Sequence, residues 1–311
     1  MSAIDTPLYD ELPRIESLDI RHSWNVLPPS LGTLAFISNV SVLRGVSSVM
    51  NGELVSLNVP IGDFSPPLFG RAAHELRTFE SSRNTFEDLI DQFNPQSTSQ
   101  WDGLLHIKAR EFGFFSGITE LDEAQRVLGI HHAAKHVIAG RGLLIDIPRW
   151  REMAGTPWDP FSGETIEVEE ITQIMRAGDI TPLRGDILCV RTGWLTKYRA
   201  IKESGEALPD LDACFSGIAS HHAMARFLWN SQFAAICSDN PAIESAPGDS
   251  KNGSLHRRLI PGLGFAMAEL LDLDLLAERC DERKSACFQF VAAPLALQGG
   301  ASSTANSVAV L

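Results

Sequence analysis

The sequence has no Cys-x-x-Cys pair; its five cysteines, Cys189, Cys214, Cys237, Cys280 and Cys287, are odd in number and widely spaced. That pattern speaks against a disulfide framework or a thiolate metal site and for a reduced, cytoplasmic chain. No window approaches the ~18 uncharged apolar residues of a membrane span, and Asp5, Asp10 and Glu11 precede any Lys or Arg, so neither membrane insertion nor a signal peptide is expected. Basic residues are scarce. The 26 Lys and Arg stand against 39 Asp and Glu, a net charge of −13 that repels polyanions and argues against nucleic acid as a partner. Common catalytic signatures are missing too: there is no Gly-x-Ser-x-Gly, no Walker loop and no His-Glu-x-x-His. Gly140-Arg141-Gly142 and Gly262-Leu263-Gly264 each lack the third glycine of a dinucleotide fingerprint and read as turns.

What is present is an ordinary globular composition, 44% apolar over 311 residues. A chain of this length buries roughly 75% of its unfolded surface and needs no staple. Pro7, Pro13, Pro28, Pro29 and Gly32 break up the first 60 residues, which read as an extended arm, with a strand from Leu54 to Val59. From Thr119 onward helix and strand patterns alternate. A helix opens near Thr119 and Asp122, and Gly142 to Ile147 reads as a buried strand. Helical spacing over Ile166–Arg176, Ser220–Asn230 and Leu271–Arg279 precedes strand-like runs at Asp186–Arg191, Phe233–Cys237 and Ala286–Ala292. The rhythm is α/β, and with no linker or repeat the chain reads as one domain, residues 1–311. The closing Val308, Val310 and Leu311 belong either to a frayed tail or to a segment covering apolar surface.

The chemistry concentrates in Gln96-Ser97-Thr98-Ser99-Gln100-Trp101-Asp102-Gly103-Leu104-Leu105-His106. Asp102 and His106 are four apart, a spacing that describes an ion pair as well as a pair of metal ligands. The segment resembles the His-x-Gly-Thr-His-x-Asp-x-Pro-x-His signature of the cyclase family, which includes kynurenine formamidase and isatin hydrolase, and more closely a branch of that family with Gln-Trp-Asp-Gly here. Laid on the signature without a gap, Gln96 and Gln100 fall on two of its histidines, while Asp102 and His106 keep their places. Leu31-Gly32-Thr33-Leu34, Phe115-Ser116-Gly117, Gly185-Asp186-Ile187-Leu188, Arg191-Thr192-Gly193 and Ser238-Asp239-Asn240-Pro241 follow the same branch in order, and Ala35 departs from an Asn common there.

The resemblance implies a swivelling β/β/α fold, a mixed barrel-like sheet with outer helices, assembled as a homodimer or homotetramer. It also implies one divalent metal, Mn or Zn, held by Asp102, His106, His256 and Glu269, with His106 or Glu269 moving the proton. Two carboxylates and two imidazoles would neutralise such an ion in a mixed N/O set. The glutamines, poorer metal donors, are expected to contact a small-molecule substrate together with Trp101, Phe114 and Phe115. The implied activity is metal-dependent hydrolysis of an amide, lactam or lactone in a small cyclic or aromatic substrate. A non-hydrolytic cyclase, dehydratase or isomerase and a non-catalytic ligand-binding relative are the alternatives. His132, His136, His221 and His222 are left outside the site.

Overall fold

A computed structural model describes residues 4–249 and 253–311. The strands in chain order are β1 (Arg14–Ile15), β2 (Ile20–Arg21), β3 (Leu54–Ser56), β4 (Glu75–Ser82), β5 (Thr85–Asp91), β6 (Gln100–Asp102), β7 (Ile138–Asp146), β8 (Thr165–Ile166), β9 (Ile187–Arg191), β10 (Gly217–Ile218), β11 (Ala235–Ser238), β12 (Ala266–Glu269), β13 (Cys287–Ala292), β14 (Ser302–Thr304) and β15 (Ser307–Val310). The helices are α1 (Asn39–Val46), α2 (Leu121–Leu128), α3 (His131–His136), α4 (Ile147–Met153), α5 (Val168–Ala177), α6 (Trp194–Ser204), α7 (His222–Asn230), α8 (Leu255–Arg257) and α9 (Asp274–Arg283).

Nine strands form one mixed sheet in the order β14-β6-β12-β11-β9-β7-β13-β15-β3. Its centre, β12 to β7, is parallel, and the flanking strands on both sides run antiparallel. The parallel strands are buried on both faces, which is why Ile187-Leu188-Cys189-Val190 and Ala235-Ile236-Cys237 read as unbroken apolar runs rather than alternations. Two apolar cores form, one on each face: Leu188, Val190, Ile236 and Met267 belong to one, and Cys189, Cys237, Ala268 and Trp101 to the other. The sheet curls into a half-barrel with helices outside it, the architecture expected from the sequence.

The helix-then-strand units predicted over 166–191, 220–237 and 271–292 are α5–β9, α7–β11 and α9–β13, with ends shifted by a few residues. The C-terminal segment covers apolar surface with Ala309 and Leu311, while Val308 and Val310 on the other face of β15 stay half-exposed. β15 inserts between β13 and β3, and Leu311 is fully buried. Residues 4–60 lie against the body rather than standing out as an arm. Trp229 Nε1 donates to Pro7 O, Arg226 pairs with Asp10, α1 follows a Ser38 cap, and β3 enters the main sheet.

Gly264 closes the turn that delivers β12. Its φ of +77° is a left-handed conformation, and a Cβ there would meet the Phe115 ring at 2.6 Å, so only glycine fits. The sequence pattern did not foresee the β4–β5 hairpin, whose residues are nearly all exposed, Leu76, Phe86, Leu89 and Ile90 included.

Candidate metal centre

Two strands and one short helix build the site. In the antiparallel pair β6–β12, Asp102 stands opposite Met267 and Gln100 opposite Glu269. Opposed residues share a face, so Asp102 and Glu269 are diagonal neighbours on the same side of the sheet. His256 arrives from α8, whose N-terminus is capped by Ser254 Oγ accepting from Arg257 N. One ligand atom each from Asp102, His256 and Glu269 lies within 4.8 Å of the others, and all three residues are largely withdrawn from solvent. His256 Nε2 is 2.9 Å from Glu269 Oε1 and 3.9 Å from Asp102 Oδ2.

His106 stands beside this triad rather than within it. Its Nε2 is 3.6 Å from Asp102 Oδ2, and its side chain remains about a quarter exposed. Burial holds its basicity below that of an ordinary imidazole; Asp102 pulls the other way, and His256 and Arg71 add to the depression. Neutral His106 therefore dominates near pH 7. Gln96 Nε2 donates to Asp102 Oδ1 at 2.6 Å and to His106 Nδ1 at 3.1 Å, which places the ring hydrogen of His106 on Nε2.

The expected substrate contacts divide by geometry. Gln96 and Gln100 reach the site, but each gives an amide hydrogen to an acid, Gln96 to Asp102 and Gln100 Nε2 to Glu269 Oε2 at 2.6 Å. Trp101 does not line the site. Neighbouring residues of a strand point to opposite faces, so with Gln100 and Asp102 facing inward Trp101 packs edge-on against Phe290 and donates Nε1–H to Ala305 O. Phe115 is likewise core, fully buried against Gly264. Phe114 is buried under the Lys108 ammonium, 4.6 Å from its ring centroid. The excluded histidines are engaged elsewhere. His132 Nε2 contacts Arg126 O, His136 Nε2 contacts Leu34 O, His221 meets Glu167, and His222 meets Tyr9 and Asp19.

Two residues of the site had no signal in the sequence. Glu244 Oε1 lies 3.3 Å from His256 Nδ1, on the side of the ring away from the triad. Arg71 Nη1 donates to Gln96 O at 2.7 Å, and the Asp102 and Glu269 charges act on its guanidinium. Neither belongs to a recurring spacing with Asp102 or His256. Each is carried in by a loop whose path only the fold defines.

The residues present fit a divalent cation. Burial, and then the Asp102 charge, pushes the Glu269 carboxyl up to about 7. His256 loses some basicity to burial, but hydrogen bonds to Glu244 and Glu269 outweigh the loss and raise it well above the usual imidazole range. Gln100 Oε1 is buried with no hydrogen-bond partner among the described residues. With the three carboxylates of Asp102, Glu269 and Glu244 ionised, Arg71 charged, and His256 having given up its proton to serve as a ligand, two negative charges stay unbalanced, the deficit one divalent ion removes. The donor set of carboxylate oxygen and imidazole nitrogen suits Zn²⁺ or Mn²⁺.

A family model described as "Putative cyclase" matches residues 55–245, more than half of the chain. Asp102 and Glu244 lie inside that span, and His256 and Glu269 just beyond it. No curated protein matches the sequence. Among solved structures, a crystal structure described as a novel cyclase superimposes with a TM-score of 0.80 at 24% identity, covering 93% of this chain and 99% of that one. Isatin hydrolase A from Labrenzia aggregata, bound to benzyl benzoate, aligns with a TM-score of 0.57 at 16% identity over 83% of this chain and 93% of its own. Isatin hydrolase A from Ralstonia solanacearum gives 0.59 at 12% identity over 88% and 98%. At these identities the structures establish shared architecture, and the family match establishes membership: the chain belongs to the cyclase family.

Proposed function

We propose that the protein is a metal-dependent hydrolase that opens an amide, lactam or lactone bond in a small cyclic or aromatic molecule. The observation that carries this reading is the convergence of Asp102, His256 and Glu269 on one point; the isatin hydrolases of like fold support the substrate class. Asp102, His256 and Glu269 would hold the ion. Such an ion would supply Lewis acidity there, for polarising a carbonyl and for making water acidic enough to attack near neutral pH.

The chain's own residues supply the rest. Gln96 and Gln100 brace the two carboxylates, so that the acids keep their geometry without a second ion. Neutral His106 accepts the proton lost by the attacking water at Nδ1, giving up its hydrogen bond from Gln96, and passes that proton to the departing nitrogen or oxygen. Hydrolysis of any of these bonds leaves a carboxylate in the field of Asp102 and Glu269. Arg71 offsets that repulsion: among the described residues only its Nη1 is hydrogen-bonded, which leaves Nε and Nη2 to face an anion. Replacing Arg71 by Met is expected to weaken binding of benzoate, a simple aromatic carboxylate, about 10-fold in a calorimetric titration of metal-loaded protein, the loss of one charge-assisted hydrogen bond. Equal affinity in the two proteins would remove Arg71 from this role.

The reaction itself is tested with isotope. Turnover of a responsive lactam or ester in ¹⁸O-water is expected to place the label in the product carboxylate. A product formed without solvent oxygen would replace hydrolysis by cyclisation or isomerisation.

A further inference from the structure

We propose that Glu244 is a positioning residue for the metal centre: it takes the Nδ1 hydrogen of His256 and so aims the Nε2 lone pair at the point shared with Asp102 and Glu269. The inference rests on the metal reading of that triad. A neutral imidazole presents a lone pair on only one nitrogen, and the partner of the other nitrogen decides which. An ionised carboxylate accepts and cannot donate, so Glu244 Oε1, 3.3 Å from Nδ1, fixes the hydrogen there. The opposite nitrogen, Nε2, is the atom 2.9 Å from Glu269 Oε1 and 3.9 Å from Asp102 Oδ2.

The carboxylate is itself anchored to the segment it steers. Ser254 Oγ donates to Oε1 at 3.0 Å, and Leu255 N donates to Oε2. α8 runs on into a buried π-helical turn, Arg258–Leu263, that holds its far end; the bonds to Glu244 tie its start and its histidine to one side chain. Glu244 is held in turn by the turn that follows β11. Its backbone bridges Ile218, and Asn240 Nδ2 donates to Ile243 O at 3.2 Å. The sheet therefore sets the orientation of His256 through Glu244, and the ring cannot rotate to offer Nδ1 instead without breaking that contact. Outer carboxylates of this kind typically contribute 10–100-fold to metal affinity.

The experiment pairs zinc titration with nitrogen NMR of the histidines in wild type and Glu244→Gln. With Zn²⁺ bound, wild type is expected to show His256 protonated at Nδ1 and bare at Nε2. In Glu244→Gln the amide can donate to Nδ1, so the preferred tautomer should shift and Zn²⁺ affinity should fall 10–100-fold. A residue that merely closed the end of α8 would lower the melting midpoint without changing the tautomer. Zinc-loaded wild type with a bare Nδ1 overturns the proposal without any variant, so misfolding of Glu244→Gln does not protect it. Unchanged affinity and tautomer in a folded Glu244→Gln overturn it while sparing the metal reading; failure of wild type to bind Zn²⁺ overturns both.

Discussion

Zn²⁺ added to metal-free protein at about 100 times its dissociation constant is expected to stabilise the fold by roughly 2.7 kcal/mol, a rise of about 4 °C in the thermal midpoint. The double variant Asp102→Asn, His256→Ala should show no such rise. Mass action sets the size of the effect, and the acids that the ion relieves set its place. Asp102 and Glu269 share one face of the β6–β12 pair, and burial, followed by the Asp102 charge, raises the Glu269 carboxyl to about 7. An ion that binds only where these acids meet favours the folded chain. Neutralising Asp102 also removes the repulsion, so the metal-free variant is expected to remain folded, as circular dichroism would show. A zinc-dependent rise that survived in the double variant would place the ion elsewhere.

The second large effect concerns Asp239, which lies outside the candidate metal centre. Its carboxylate is fully buried and accepts from Thr192 N at 2.6 Å, Thr192 Oγ1 at 2.8 Å and Gly193 N at 2.8 Å. Gly193 is the residue before α6, so Asp239 ties the end of β9 to the positive start of that helix. Asp239→Ala strands three donors in the interior and is expected to cost about 3 kcal/mol or more, read as a lower denaturation midpoint in urea. The effect depends on pH. Burial lifts the Asp239 carboxyl to about 6, against the pull of the Thr192 hydrogen bonds and of Arg191. The folded protein therefore binds this proton more tightly than the unfolded chain. Asp239's contribution is fullest below pH ~4 and declines as pH rises through ~6, by about 3 kcal/mol in all. Wild type should thus exceed Asp239→Ala by more near pH 4 than near pH 7; an equal gap at both would assign the proton to another group.

Helix and strand periodicity made the body of the fold readable before any coordinates. The buried runs of β9 and β11, each preceded by an amphipathic helix, carry their environment in their spelling. The family resemblance implied Asp102, His256 and Glu269, and the fold brings one ligand atom of each within 4.8 Å of the others. The error at Trp101 came from treating proximity in sequence as proximity in space; a three-residue strand sends its middle side chain to the opposite core. Glu244 and Arg71 were illegible for a different reason. Their roles depend on where two loops return to the sheet, and no local pattern of charge or hydropathy records that path. The β4–β5 hairpin escaped notice because its apolar residues face water, so burial periodicity has nothing to mark there.

The position of β6 in the sheet also bears on how the protein is made. The strand that presents Asp102 lies between β12 and β14, both translated long after it. Until those late segments leave the ribosome, Gln100–Asp102 has no partner on either edge, and the acid pair does not exist. Assembly of the candidate centre thus waits for β12 and β14 to be translated, and such distant pairing makes for slow folding. A nascent chain halted before residue 266 would already contain Asp102 and His256, but no place for them to meet.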